Sequence, residues 1–161
     1  MAAVDYFLKI DGIEGESTDK AHGKEIDVLS FSWGETNSGT HAGGGGGGAG
    51  KVSMQDFHFV MKVNKASPKL FFACASGQHI KEATLTSRKA GGKQEEYLII
   101  KFSDLLISSY QTGGNSGDIV PTDQISFNFS KMQYDYRPQK ADGTLDAKIS
   151  GGWDLKQNVK L

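Results

Sequence analysis

The sequence has 161 residues, a formal net charge of −1, 37% hydrophobic and 23% charged residues, a balance typical of a soluble globular domain. A chain of this length fits a single domain, residues 1–161, and its near-zero charge offers no basic stripe for nucleic acid. No apolar run approaches the ~20 residues of a membrane-spanning helix, so neither nucleic-acid binding nor membrane insertion is expected.

The N-terminal stretch MAAVDYFLKIDG lacks the basic leader and apolar core of a signal peptide. We therefore expect synthesis in the cytoplasm and, for any export, a leaderless route. Within this stretch the apolar residues alternate with polar ones, which predicts a half-buried strand. Its apolar phase consists of Val4, Tyr6, Leu8 and Ile10.

Two further segments in the first half of the chain also alternate. In EIDVLSFSWG, residues 25–34, the alternation of apolar and polar residues shifts by one position between Val28 and Leu29. SMQDFHFVMKV, residues 53–63, predicts a strand with four apolar residues on one face, Phe57, Phe59, Met61 and Val63.

A glycine-rich segment separates these two stretches, and it accounts for much of the unusual total of 21 glycines. Gly45, four residues and then Gly50-Lys51 resemble a phosphate-binding loop, but Val52 stands where that motif has a hydroxyl. The motif also needs a helix after the lysine, whereas the period-two alternation predicts a strand. The segment is therefore interpreted as a long loop within one domain and not as a nucleotide site.

Residues 67–79, SPKLFFACASGQH, predict the one helix. Ser67 is the expected N-cap, Pro68 the first helical residue and Gly77 the C-terminal stop. The expected buried stripe is Leu70, Phe71, Cys74 and Ala73. Cys74 is the only cysteine and is interpreted as a small core residue.

Strand signals resume after the helix. EYLIIKF and DLLISS are nearly continuous apolar runs, which indicates strands covered on both faces. In QISFNFSKMQYDY the apolar phase slips near Ser130-Lys131, which predicts a β-bulge. GGWDLKQNVKL, residues 151–161, predicts a last strand with Trp153, Leu155, Val159 and Leu161 on its buried face.

These elements predict a mainly β domain, a closed or nearly closed β-barrel with one short helix and a long glycine-rich loop. The four histidines are far apart and show no metal-ligand spacing, and no catalytic serine motif occurs. We therefore expect no catalytic residues, no metal and no cofactor.

Seven segments in order resemble one family: KIDGIEGES, EIDVLSFSWG, the glycine-rich segment, SPKLFFACASGQH, RKAGG with EYLIIKF, YRPQKADG and GGWDLKQNV. Together they are similar to the haemolysin-coregulated protein (Hcp) family, the tube subunits of bacterial type VI secretion systems. The resemblance implies a β-barrel of two sheets with one helix. It also implies hexameric rings that stack into a secreted tube, with small effector proteins in the lumen and spike and sheath proteins as partners.

The resemblance further implies roles for particular residues. The range Ser38–Lys51 corresponds to the extended loop that reaches the next ring. Its residues are Ser38, Gly39, Thr40, His41, Gly43, Gly44, Gly45, Gly46, Gly47, Gly48, Gly50 and Lys51. Ser30 and Ser32 correspond to the wall of the lumen, where effectors would be contacted.

Two alternatives to a tube subunit stay open from the residues alone. The first is an enzyme that uses the glycine-rich loop as a phosphate site. The second is a monomeric ligand-binding β-barrel, which would contain an enclosed apolar cavity within one chain.

Overall fold

A computed structural model describes residues 4–39, 51–89 and 93–161. Within these ranges the chain forms twelve β-strands and one α-helix. The strands are β1 Val4–Ile10, β2 Ile26–Val28, β3 Ser30–Ser32, β4 Glu35–Asn37, β5 Val52–Met54, β6 Phe57–Lys62, β7 His79–Lys89, β8 Glu96–Gly113, β9 Thr122–Asn128, β10 Lys131–Tyr136, β11 Ile149–Asp154 and β12 Val159–Lys160, and the helix is α1 Ser67–Ser76. The predicted mainly β fold with one short helix is confirmed.

Ten of the strands form one antiparallel sheet, and β4 and β5 form a separate two-stranded sheet. Pairing in the large sheet runs β2–β1–β7–β8–β9–β6–β3, so its two ends are consecutive pieces of the segment Ile26–Ser32. Leu29 separates these pieces and donates its backbone N–H to the carbonyl of Val60. No ladder joins β2 to β3, so the two ends of the sheet are linked by the chain at Leu29 and not by strand pairing.

The barrel interior is filled with side chains. Four phenylalanines from three strands meet at its centre with ring centroids 4.8–6.3 Å apart: Phe57, Phe59, Phe102 and Phe127. The Phe102–Phe127 pair is edge-to-face and the other pairs are tilted, and all of them bury apolar ring surface. This packing fixes the inner face of β6, β8 and β9, and therefore which residues of those strands face outward.

Several strand predictions need correction. Residues 53–63 are not one strand, because β5 and β6 lie in different sheets and separate at Gln55-Asp56. The phase slip near Ser130 marks a break between β9 and β10 and not a bulge, since both strands pair in succession along β8. The two apolar runs after the helix form the single strand β8, whose Leu98 and Ile99 are half-buried and whose Leu106 is 37% exposed.

The helix begins at Ser67 and not at Pro68, with Ala66 as N-cap. The hydroxyl of Ser67 donates to the buried carboxylate of Asp123 at 2.6 Å and accepts the backbone N–H of Asn64 at 3.0 Å. Gly77, with a φ of 67°, ends the helix as predicted. Since Ser67, Leu70 and Ala73 face the barrel, Phe71 lies outside it at 60% exposure, so its predicted burial is wrong.

The C-terminal segment is a hairpin and not one strand. The chain turns after Asp154, at residues 155–158, and β12 pairs back on β11. Asp154 is buried because its carboxylate accepts the backbone N–H of Gln157 at 3.0 Å inside the turn. Val159 and Leu161, predicted to be buried, are 45% and 54% exposed.

Residues 11–25, the β1–β2 connection, fold over the face of β1 that is opposite the barrel core. Phe7 is buried there, where its ring stacks on His22 at 4.5 Å and lies under the Arg88 guanidinium at 4.8 Å. Arg88 donates to both carboxylate oxygens of Asp19, at 2.9 and 2.6 Å, and this holds the pKa of Asp19 at about 2. The alternation in the sequence did not predict that this second face of β1 is covered.

Candidate functional site

Ser30 and Ser32, predicted for the wall of a lumen, lie on β3 with both side chains exposed. Phe31 between them points inward, where its ring contacts Tyr6 and Phe57 at 5.1 and 5.8 Å. Because successive residues of a strand face opposite sides, the packing of Phe31 fixes both serines on the outer face of the barrel.

The outer face around these serines is mainly polar across three neighbouring strands, and its one apolar outward residue is the half-buried Val60, opposite Ser30. Ser32 lies opposite His58, and His58 lies opposite Ser126, so the three form a row from β3 to β9. Nδ1 of His58 and Oγ of Ser126 are joined by a hydrogen bond of 3.1 Å. The only charged outward residue of β3, β6 and β9 is Lys62, at the end of β6. This polar face, defined as the outward residues of β3, β6 and β9, can offer hydrogen bonds over a surface almost free of charge.

The predicted stacking loop is described only at its two ends. Asn37 pairs with Val52, so Ser38 and Lys51 follow at the same end of the β4–β5 hairpin, and both are exposed. Gly39 is also described and exposed, whereas the predicted residues from Thr40 to Gly50 lie outside the described residues. Val52 begins a strand, as predicted, and not the helix that a phosphate-binding loop requires.

A groove of about 750 Å³ lies between this hairpin and the strands β10 and β11. We name the three strands β10, β11 and β12 together the wing. The hairpin wall includes Val52 and Met54, and the wing wall includes Tyr134, Gly151 and Trp153. It lies outside the barrel, whose interior is filled by phenylalanines, and so differs from the enclosed cavity expected of a ligand-binding barrel.

Two tryptophans line the groove, and each has an unsatisfied indole. The N–H groups of Trp33 and Trp153 are buried and have no hydrogen-bond acceptor among the described residues. Buried donors are nearly always paired, and these two indoles, with Nε of Arg88, are the exceptions among the side-chain donors of the described residues.

Metal-ligating groups do not cluster in the described part of the chain, where no three His, Cys, Asp or Glu residues could hold an ion. Residues 4–39, 51–89 and 93–161 likewise include no helix long and apolar enough to cross a membrane.

Comparison with known proteins identifies the class. Residues 7–136 match the family model described as "Type VI secretion system effector, Hcp". The chain belongs to the Hcp family of type VI secretion system proteins.

Individual relatives agree with this family over nearly the full length. The chain is 51% identical to protein hcp1 of Pseudomonas aeruginosa over 160 residues, covering 98% of this chain and 99% of that protein. A structure described as a type six secretion system protein superposes with a TM-score of 0.93 at 34% identity, covering 99% and 100% of the two chains. Hcp1 from Salmonella typhimurium superposes with a TM-score of 0.83 at 39% identity, with the same coverage.

The lumen assignment of Ser30 and Ser32, which came from the family resemblance, stays a prediction, and the sequence analysis did not predict the groove. Its wing wall contains Tyr134 and Trp153, which the alternation assigned to buried faces. The double glycine at 151–152 was the one signal available, since glycine inside a strand often marks a close approach by another element.

Proposed function

We propose that this chain is a structural subunit that assembles into hexameric rings, which stack into the inner tube of a type VI secretion system. In this role it has no catalytic activity of its own. It leaves the cell by the leaderless type VI route, and its partners are further copies of itself, effector proteins in the lumen, and spike and sheath proteins.

The polar face is the observation that carries this proposal. A lumen that holds different effectors and later releases them requires hydrogen-bonding groups without strong charge or large apolar area. Ser30, Ser32, His58 and Ser126 supply such groups on a rigid sheet whose inner side is packed with phenylalanines. We assign Ser30 and Ser32 to effector contact within the lumen.

We assign the range Ser38–Lys51 to contact between stacked rings. What supports this is that Ser38 and Lys51 lie where the connecting segment leaves the β4–β5 hairpin, which is separate from the large sheet.

Negative-stain electron microscopy of the purified protein tests the assembly. We expect annular particles, and deletion of residues 43–48 should leave the rings but shorten their stacks. Monomers at every concentration, or loss of the ring itself in the deletion variant, would contradict these assignments.

Effector binding is tested with Ser32→Arg and the matched control Ser116→Arg, which lies in the exposed β8–β9 loop. Both variants should form rings. Only Ser32→Arg should lose co-purification of effectors, because it places charge and bulk on the polar face. Equal retention by the two variants would refute the lumen assignment.

A further inference from the structure

His22 is a buried histidine of the β1–β2 connection whose two ring nitrogens both face carboxylates. Its Nδ1 lies 2.8 Å from Oε2 of Glu25, and its Nε2 lies 2.6 Å from Oε1 of Glu96, the first residue of β8. Glu96 is 74 positions later in the chain, so this contact joins the connection to a distant strand. We name His22, Glu25 and Glu96 together the clasp.

The two contacts of the clasp require a proton on each ring nitrogen. An ionised carboxylate only accepts hydrogen bonds, and a neutral imidazole has one N–H and one lone pair, so it can donate to only one of the two glutamates. With the lone pair turned to the other glutamate, two acceptors would face each other without a hydrogen between them. The proton belongs on the ring and not on a carboxyl group, because imidazole is the stronger base by about two pKa units in ordinary peptides.

Charged groups face His22 from every element around it. The pairing register places Asp27 of β2 opposite Phe7 and Arg88 of β7 opposite Asp5, so these side chains share the covered face of β1. The groups that face the ring from the connection, β1, β2, β7 and β8 are Asp5, Asp19, Glu25, Asp27, Arg88 and Glu96. Three lysines of the same region are exposed and form no ion pair in the described ranges: Lys9, Lys20 and Lys24.

Negative charge is therefore in excess around the clasp. The guanidinium of Arg88 is already bound by Asp19 and Asp5. Burial raises the pKa of the Asp27 carboxyl above its ordinary value, and the charges of Asp5 and Asp19 raise it further. A second buried cation is favourable in such surroundings, and a doubly protonated His22 supplies it.

The two glutamates of the clasp differ in their access to water. The side chain of Glu25 is 13% exposed and that of Glu96 is 38% exposed. When the ring loses one proton, its remaining N–H stays with Glu25, because a buried carboxylate without a donor costs more free energy than one that can turn to water. Glu96 then leaves. Arg88 still holds Asp19, so the opening is confined to the part of the connection next to β8.

We infer that His22 forms a pH-dependent clasp, which ties the β1–β2 connection to β8 through Glu25 and Glu96 while the ring carries two protons and releases Glu96 when it loses one. The closed form binds a proton that the open form does not, so the clasp is closed at lower pH and opens as the pH rises. All of its contacts lie within one chain, so the inference does not depend on the proposed ring.

Backbone amide exchange of residues 17–25, followed by mass spectrometry on the full chain, tests the inference. Protection is compared at about pH 6 and about pH 9, on either side of the range in which histidine ordinarily changes charge. In Glu96→Gln the new amide can accept from a ring N–H or donate to a ring lone pair, so it can bind either form of His22. Glu95→Gln is the matched control, since the Glu95 side chain makes no hydrogen bond or ion pair among the described residues.

In the unmodified protein we expect protection of residues 17–25 to be about tenfold lower at the higher pH, as the loss of one hydrogen bond between charged groups implies. Glu95→Gln should show the same change, whereas Glu96→Gln should be equally protected at both pH values. Residues 98–107 of β8 should keep their protection in all cases, which separates opening of the clasp from unfolding of the barrel.

Equal protection of residues 17–25 at both pH values in the unmodified protein would overturn the inference, and so would an unaltered pH dependence in Glu96→Gln. A second measurement needs no variant that changes the clasp. In protein labelled with ¹⁵N-histidine at about pH 6, both ring nitrogens of His22 should resonate as protonated nitrogens. A spectrum with one protonated and one unprotonated ring nitrogen would show a neutral His22 and refute the clasp.

Discussion

The β1–β2 connection and the wing both lie outside the barrel. The connection is held by contacts within the chain, whereas the wing has large apolar side chains that are exposed. In the connection, the ring nitrogens of His22 lie 2.8 and 2.6 Å from carboxylate oxygens of Glu25 and Glu96, and Arg88 is bound by Asp19. In the wing, Tyr134, Tyr136 and Ile149 are 42%, 43% and 63% exposed.

This difference separates two uses of a surface element. Charged partners within one chain bind most of the polar groups of the connection, although Nε of Arg88 is buried without an acceptor among the described residues. The connection therefore contributes to the stability of the fold and leaves little for a partner to bind. The wing leaves apolar area exposed, which is typical of a binding surface. Substitutions in the first region should therefore act on unfolding, and those in the second on assembly.

The largest expected effect is that of Phe7→Ala in the connection. Phe7 is 4% exposed between His22 and Arg88, so its removal leaves a cavity beneath both. We expect the free energy of unfolding to fall by about 3 kcal/mol, measured by urea denaturation.

Ile149→Ala on the wing is the matched comparison. It should change the free energy of unfolding of the single chain by less than about 0.5 kcal/mol, because Ile149 is 63% exposed. If the two variants lost similar amounts of unfolding free energy, the wing would contribute to the stability of the single chain as the connection does, and the contrast between the two regions would fail.

The sequence predicted the parts of the fold that local periodicity controls. Strand β1, the phase change at Val28 and the C-terminal stop at Gly77 follow from alternation and backbone preference, and all three are confirmed. It could not predict that Phe7 is buried, since the polar phase of β1 is covered by Arg88, 81 positions later in the chain. Long-range cover of this kind leaves no trace in a local pattern.

In the wing, the alternation predicted burial for residues that are exposed in the single chain. Its tyrosines and Trp153 have the alternation of a buried strand, because apolar residues that face a partner and those that face the core look alike in sequence. The turn after Asp154 was missed because Asn158, with a φ of 56°, takes a left-handed conformation without a glycine. The candidate lumen residues Ser30 and Ser32 came from the family resemblance and not from any local signal.

A change of intermediate size in the free energy of unfolding is expected for a substitution in the turn at residues 155–158. It tests whether the β11–β12 hairpin is ordered in the single chain. Asn158→Ala should lower the free energy of unfolding by about 1 kcal/mol, because alanine tolerates a positive φ less well than asparagine. Asn158→Gly should be nearly neutral. Gln157→Ala is the control, since only its backbone N–H contacts Asp154. No loss in Asn158→Ala would mean that the β11–β12 hairpin is not formed in the single chain.

The smallest effect concerns pH and tests whether the connection is held by its own charges. Arg88 keeps the pKa of Asp19 at about 2, below the ordinary value of 3.8, so the unfolded chain binds this proton first as the pH falls. The contribution of Asp19 to stability is therefore complete above about pH 4 and is lost between pH 4 and 2. In Asp19→Asn the free energy of unfolding should depend less steeply on pH in that window, measured by urea denaturation at each pH. If the free energy of unfolding of Asp19→Asn depended on pH as steeply as that of the unmodified protein, solvent and not Arg88 would satisfy this carboxylate. The connection would then not be held by its own charges.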